Sequence, residues 1–128
     1  IRNNVYDVFQ LFDFADPAVL EGNRPTTTVA PQALFMMNSE LVQNAAEAMA
    51  GRVLERGDLD DAARVRLLYL QAYARPVKPQ EATRAALLLA RLERAQAGTE
   101  TDPAKRRRAA WTWLCQSLMA ANEFLYVR

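Results

Sequence analysis

Apolar residues recur at helical spacing through almost all of this 128-residue chain, and one long stretch, residues 12–32, breaks the pattern. It reads FDFADPAVLEGNRPTTTVAPQ. Its prolines, glycine and consecutive threonines oppose a continuous helix. Proline lacks the amide hydrogen and pushes the residue before it toward extended angles. A compact helical domain seldom carries so long an irregular connection without a packing or binding reason. Any specific site is therefore sought first around this segment.

On either side of the break, the helices have marked ends. Asn3 and Asn4 suit the cap of a short helix over about residues 5–11, with Val5, Val8, Phe9 and Phe12 on one side. Thr28 and Pro31 start a short apolar helix near Ala30. Asn38 and Ser39 then restart the chain into a helix over about residues 40–55. Val42, Ala45, Ala46, Met49 and Val53 form the apolar side of that helix, and Gly57 is its expected C-terminal cap. Asp58 with Asp61 makes an acidic relative of the capping box.

The helix that follows, over about residues 59–74, shows two apolar faces. One is Leu59, Ala63, Leu67 and Leu70; the other is Ala62, Val65, Tyr69 and Ala72. Two apolar faces predict a central helix. Arg75-Pro76 ends it, and Lys78-Pro79-Gln80-Glu81 opens the next helix, with an acid where the helix dipole favours one. Ala82, Ala85, Ala86, Leu89 and Leu92 are read as its inner side and Gly98 as its close. Asp102-Pro103 begins the last long helix, whose core stripe is Trp111, Leu114, Cys115, Leu118 and Met119. No useful strand alternation appears. The pattern predicts an all-α fold, a compact orthogonal-type bundle of about five or six helices forming one domain.

Histidine is absent and Cys115 is the only cysteine. The sequence therefore offers no imidazole general base, no Ser–His or Cys–His nucleophile pair, no His-ligated zinc or haem, no CxxCH attachment and no internal disulfide. No cofactor or metal is expected within it. A net charge of +1 creates no global attraction to nucleic acid or anionic membranes. No apolar run approaches the roughly 20 residues that span a bilayer.

The remaining candidates are local. Arg24 with Thr26, Thr27 and Thr28 could present a guanidinium and hydroxyls to a ligand carboxylate, a sulfate or a carbohydrate. Pairing of Arg24 with Asp13 or Asp16 to tie the loop down is the favoured reading. Asp7, Asp13, Asp16 and Glu21 have the chemistry for acid–base work or a hard cation, but their spacing matches no calcium loop. Lys105, Arg106, Arg107 and Arg108 could touch phosphates, yet they spread around one helical turn with no aromatic interleaving. Nucleic acid is therefore not the expected partner. Cys115 lies on an apolar face, as a buried inert thiol would. Trp111 and Trp113 point in different directions, so one is expected to be exposed or to meet a neighbour.

Several blocks together resemble one known family: RNN near the start, LFDFADP, GNRPTTTVAPQALFMMN, LLYLQAYARPVKPQE and the closing WLCQSLMAANEFLYV. The family is the C-terminal domain of unknown function (number 1553) of large proteins from planctomycetes and related bacteria. The resemblance takes in essentially the whole chain. It implies a module downstream of a c-type cytochrome domain, with haem c held elsewhere in the parent protein. It also implies export to the periplasm or cell surface, in an electron-transfer or polymer-degrading setting. The start at Ile1, without methionine, is read in the same way, as part of a larger protein. The expected function is a non-catalytic packing or interaction module whose partners are upstream domains or another protein. The alternative is a carbohydrate- or anion-binding contribution through Arg24 and the threonines.

Overall fold

The computed structural model describes residue 35 and residues 37–121. Among these residues the fold is all helical, with no strand, and contains four helices: α1 (Glu40–Leu54), α2 (Asp61–Tyr73), α3 (Pro79–Gln96) and α4 (Pro103–Ala120). That count replaces the expectation of five or six for the described part. The expected opening helix and the irregular stretch lie outside the described residues. Of the short apolar helix, Phe35, Met37 and Asn38 are helical.

The starts of α1, α3 and α4 fall where the sequence places them, whereas α2 is capped by Asp60 and not by the expected Asp58, whose carboxylate is taken by Arg56. Ser39 accepts the Val42 amide hydrogen at 3.3 Å, and Asp60 accepts that of Ala63 at 2.9 Å. Asp102 accepts that of Ala104 at 3.0 Å, just before Pro103. These side chains satisfy amides that have no partner inside the helix. At α3 the carboxylate of Glu81 reaches back to the Lys78 amide at 2.8 Å, while Pro79 supplies a first-turn residue with no amide hydrogen to satisfy.

The ends are less orthodox. Neither Gly57 nor Gly98 adopts a positive φ, so neither is a left-handed cap. Among the described residues the one positive φ belongs to Ala74, at φ 58° and ψ 34°, which closes α2 as its amide donates to the Leu70 carbonyl. Pro76 bars Arg75 from helical angles, so the helix must be finished by residue 74 whatever stands there.

The core gathers Met37, Val42, Ala46, Ala50, Val53, Val65, Leu68, Tyr69, Leu88, Leu92, Trp111, Leu114, Cys115 and Leu118, among others. Its organiser is α4, not α2. The largest interface is α1 with α4, followed by α3 with α4. From Leu114 to Ala120 every residue of α4 is buried. A helix enclosed on all sides is a central one. On α2 only Arg64, Val65, Leu68 and Tyr69 are buried; Leu59, Ala63 and Leu67 are half-covered and Leu70 is exposed. On α3 the inner side includes Leu88, while Ala86 lies exposed.

Small residues let α1 approach α4 closely. Ala46 and Ala50 are fully buried, and a Cβ placed on Gly51 would lie 2.9 Å from the guanidinium of Arg108. Two polar side chains enter this region of α4 without cost. Ser117 donates to the Trp113 carbonyl at 2.7 Å, and the Gln116 amide donates to the Met37 carbonyl. Among the described residues no buried side-chain nitrogen or oxygen lacks a partner. This is the condition under which polar groups can be buried.

Candidate functional site

Polar chemistry concentrates at the two junctions that flank α2. At the first, Arg64 is buried on α2 and makes three interactions. Its Nε donates to the Val53 carbonyl at 3.1 Å, one Nη to the Arg56 carbonyl at 2.8 Å, and the other to Asp61 at 2.8 Å. The carbonyls at the end of a helix carry the negative pole of its dipole and lack helical partners, so a guanidinium there satisfies both needs. Asp61 is shared. Arg107 on α4 reaches the same carboxylate with two bonds, at 2.6 and 3.1 Å, and lies 5.9 Å from the Trp111 ring centre. The Arg107 bonds, reinforced by Arg64, hold the Asp61 carboxyl below its ordinary pKa, and Asp61 in turn raises that of Arg107. Nearby, Arg56 and Asp58 pair through two exposed bonds of 2.9 Å, which push the Asp58 carboxyl down to about 2.

At the second junction Arg75 donates to both oxygens of Glu81, at 2.9 and 2.8 Å. Its guanidinium stands 5.7 Å from the Tyr69 ring centre and 5.4 Å from that of Tyr73. The two rings meet edge to face at 5.4 Å, and the Tyr73 hydroxyl donates to the Leu118 carbonyl at 2.8 Å. Burial works to raise the Glu81 pKa. The two Arg75 bonds and the Lys78 amide outweigh it and hold the carboxyl below its ordinary value.

A cleft of about 330 Å³ opens between α2 and α3 over Trp111. Val65 and Leu89 line it beside Ala62, Ala82, Ala86 and Ala90, and Asp61, Arg107 and Glu93 stand along it. A second, shallower recess of about 360 Å³ lies between α1 and α4, with Glu47, Lys105, Arg108 and Trp113.

The residues singled out from the sequence fare unequally. Arg24, Thr26, Thr27, Asp13 and Asp16 lie outside the described residues. The basic run does not act as one patch: Arg106 donates to the Glu100 carbonyl at 2.8 Å, Arg107 pairs with Asp61, and Arg108 overlies Gly51. Cys115 is wholly buried, and burial pushes its thiol up to about 12. A thiol so hard to ionise is a poor nucleophile. Trp111 is buried and Trp113 half-buried against the core. Among the described residues no group of three or more Cys, Asp or Glu could hold a metal ion, and no helix is long and apolar enough to cross a membrane.

A family model described as PSD1, protein of unknown function (DUF1553), matches residues 1–89. The chain belongs to this family. The match takes in both junctions around α2 and stops within α3. The family assignment therefore covers less than the whole-chain resemblance, and the closing WLCQSLMAANEFLYV block lies beyond it. No curated protein and no solved structure matches the chain. Sequence reading missed Arg64 and the sharing of Asp61. A signal was nevertheless present: an arginine between Ala63 and Val65 on an otherwise apolar part of a helix demands a buried acceptor.

Proposed function

We propose that this chain is a non-catalytic helical packing module of a large exported protein of the planctomycete type, associated with a cytochrome c domain. In this reading it docks against upstream domains of its own polypeptide or against a protein partner. The observation that carries the reading is the use made of its charged groups. Arg64, Arg75, Glu81, Asp61 and Arg107 join helix ends to one another. Meanwhile large apolar side chains stand outward, Leu41 at 79% exposure and Phe35 at 70%. Leu41 lies in the first turn of α1 and Phe35 shortly before it, so both occupy the approach to that helix. Polar groups engaged in architecture, beside outward apolar ones, suit a surface that is completed by a neighbour.

The experiment compares thermal melting of the 128-residue chain alone with the same chain joined to its upstream domains. A higher melting temperature in the joined form is expected. Leu41→Glu should remove that gain while leaving the melting of the isolated chain unchanged. Identical melting in both forms would refute the packing role. The setting is checked separately in the parent gene, where an export signal and a CxxCH motif are expected upstream.

A further inference from the structure

We propose that the cleft between α2 and α3 is a binding site for a compact apolar ligand carrying one cationic nitrogen. The cleft owes its existence to small side chains. Ala82, Ala86 and Ala90 succeed one another along one side of α3, and Ala62 contributes from α2. Leucines at these positions would fill the space, since successive residues four apart stand on one helix face. Beneath them lie Trp111, Val65 and Leu89, 1%, 4% and 9% exposed. A compact apolar group seated there would rest on the alanine methyls, above the nearly closed surface of Trp111, Val65 and Leu89. The volume of about 330 Å³ falls at the small end of ligand pockets, roughly 300–1,000 Å³.

The charged residues of the cleft set the sign of the ligand. Two carboxylates, Asp61 and Glu93, share it with one guanidinium, that of Arg107. Asp61 already accepts three bonds, two from Arg107 and one from Arg64. Arg64 directs the rest of its donors away, to the Val53 and Arg56 carbonyls. Glu93 is half-buried and influences Arg107 through space, but no donor among the described residues bonds its carboxylate. An ammonium that follows an apolar body into the cleft would meet this open acceptor. An anion there would face the open Glu93 carboxylate, and the cation among the lining residues, Arg107, is already bidentate to Asp61. This site is independent of the surface near Leu41 that carries the packing role.

The test uses three probes of one shape: cyclohexylmethylammonium, cyclohexylmethanol and cyclohexanecarboxylate. Binding is followed by the alanine methyl NMR signals of the 128-residue chain, and by Trp111 fluorescence in the chain carrying Trp113→Phe. The ammonium is expected to give saturable shifts at Ala62, Ala86 and Ala90, and the carboxylate to bind roughly tenfold more weakly. Glu93→Gln should bring the ammonium and the alcohol to equal affinity. Ala86→Leu, at an exposed position that tolerates a good helix former, should abolish the shifts with melting unchanged. If that variant fails to fold, Ala90→Leu on the same face serves instead. Absence of saturable shifts, equal binding of all three probes, or shifts that survive the filling substitution would each overturn the proposal.

Discussion

The junction between α1 and α2 and the junction between α2 and α3 are each secured by an arginine, but the two arginines face opposite ways along the chain. Arg64 reaches backward, to the Val53 carbonyl in the last turn of α1 and the Arg56 carbonyl just past it, each of which also accepts one turn amide. Arg75 reaches forward, to the glutamate that receives the amide of Lys78 just before α3. Both arrangements obey the polarity of the helix, with a cation near its C-terminus and a carboxylate near its N-terminus. They differ in what would be stranded by a loss. Without Arg64, carbonyls in a buried setting lose a charged donor. Without Arg75, Glu81 keeps the Lys78 amide and can recover solvent. Identical residue types thus carry unequal weight, decided by the accessibility of what they bond.

The sharpest challenge to that contrast is Arg64→Ala, expected to lower stability by about 3 kcal/mol because three charge-assisted bonds and the packing of a buried side chain are lost together. Arg64→Lys should recover little, since an ammonium cannot reproduce the three-way fork. A loss below that of Arg75→Ala in chemical denaturation would reverse the ranking of the junctions. Arg75→Ala should itself cost about 1–2 kcal/mol, from a partly buried bidentate pair and two ring contacts.

The second junction also predicts an acid response. The Glu81 carboxyl ionises more readily folded than unfolded, so the unfolded chain binds more protons in the acid range. Its stabilisation is complete above the unfolded value of 4.5 and disappears as pH falls through the lower folded value. Glu81→Gln should flatten the fall in melting temperature over that interval. An unaltered acid profile would show that the pair contributes nothing. The smallest effect is expected at the turn itself. Ala74→Gly removes the penalty of a left-handed alanine and should stabilise the chain by about 0.5–1 kcal/mol.

The same contrast explains what could be read from sequence. The second junction was legible because its devices are local: Arg75-Pro76 stops one helix, and Pro79 with Glu81 starts the next, within a few residues. The helix starts at Ser39 and Asp102 and the stripe on α4 were legible for the same reason. Arg64 was not, because its acceptors belong to a different helix and are backbone atoms without residue identity. Gly57 and Gly98 misled for the opposite reason. Glycine permits a left-handed cap but does not require one, whereas Pro76 imposed the turn on Ala74. The centrality of α4 had a visible sign, since no charged residue falls between Ala109 and Ala121. Two apolar faces on α2 obscured it. The Arg107–Asp61 pair, which borders the cleft, joins residues 46 apart, beyond any local rule.

The position of α4 has a consequence for the order in which the molecule can form. It is the last of the four helices to be synthesised, yet it supplies the surface on which α1 and α3 pack. The earlier helices therefore leave the ribosome with Val42, Val53, Leu88 and Leu92 lacking their main counterpart, and cooperative closure must await the final segment. The family match ends at residue 89, so a nascent chain that had completed only the matched portion would still lack the helix on which α1 and α3 pack.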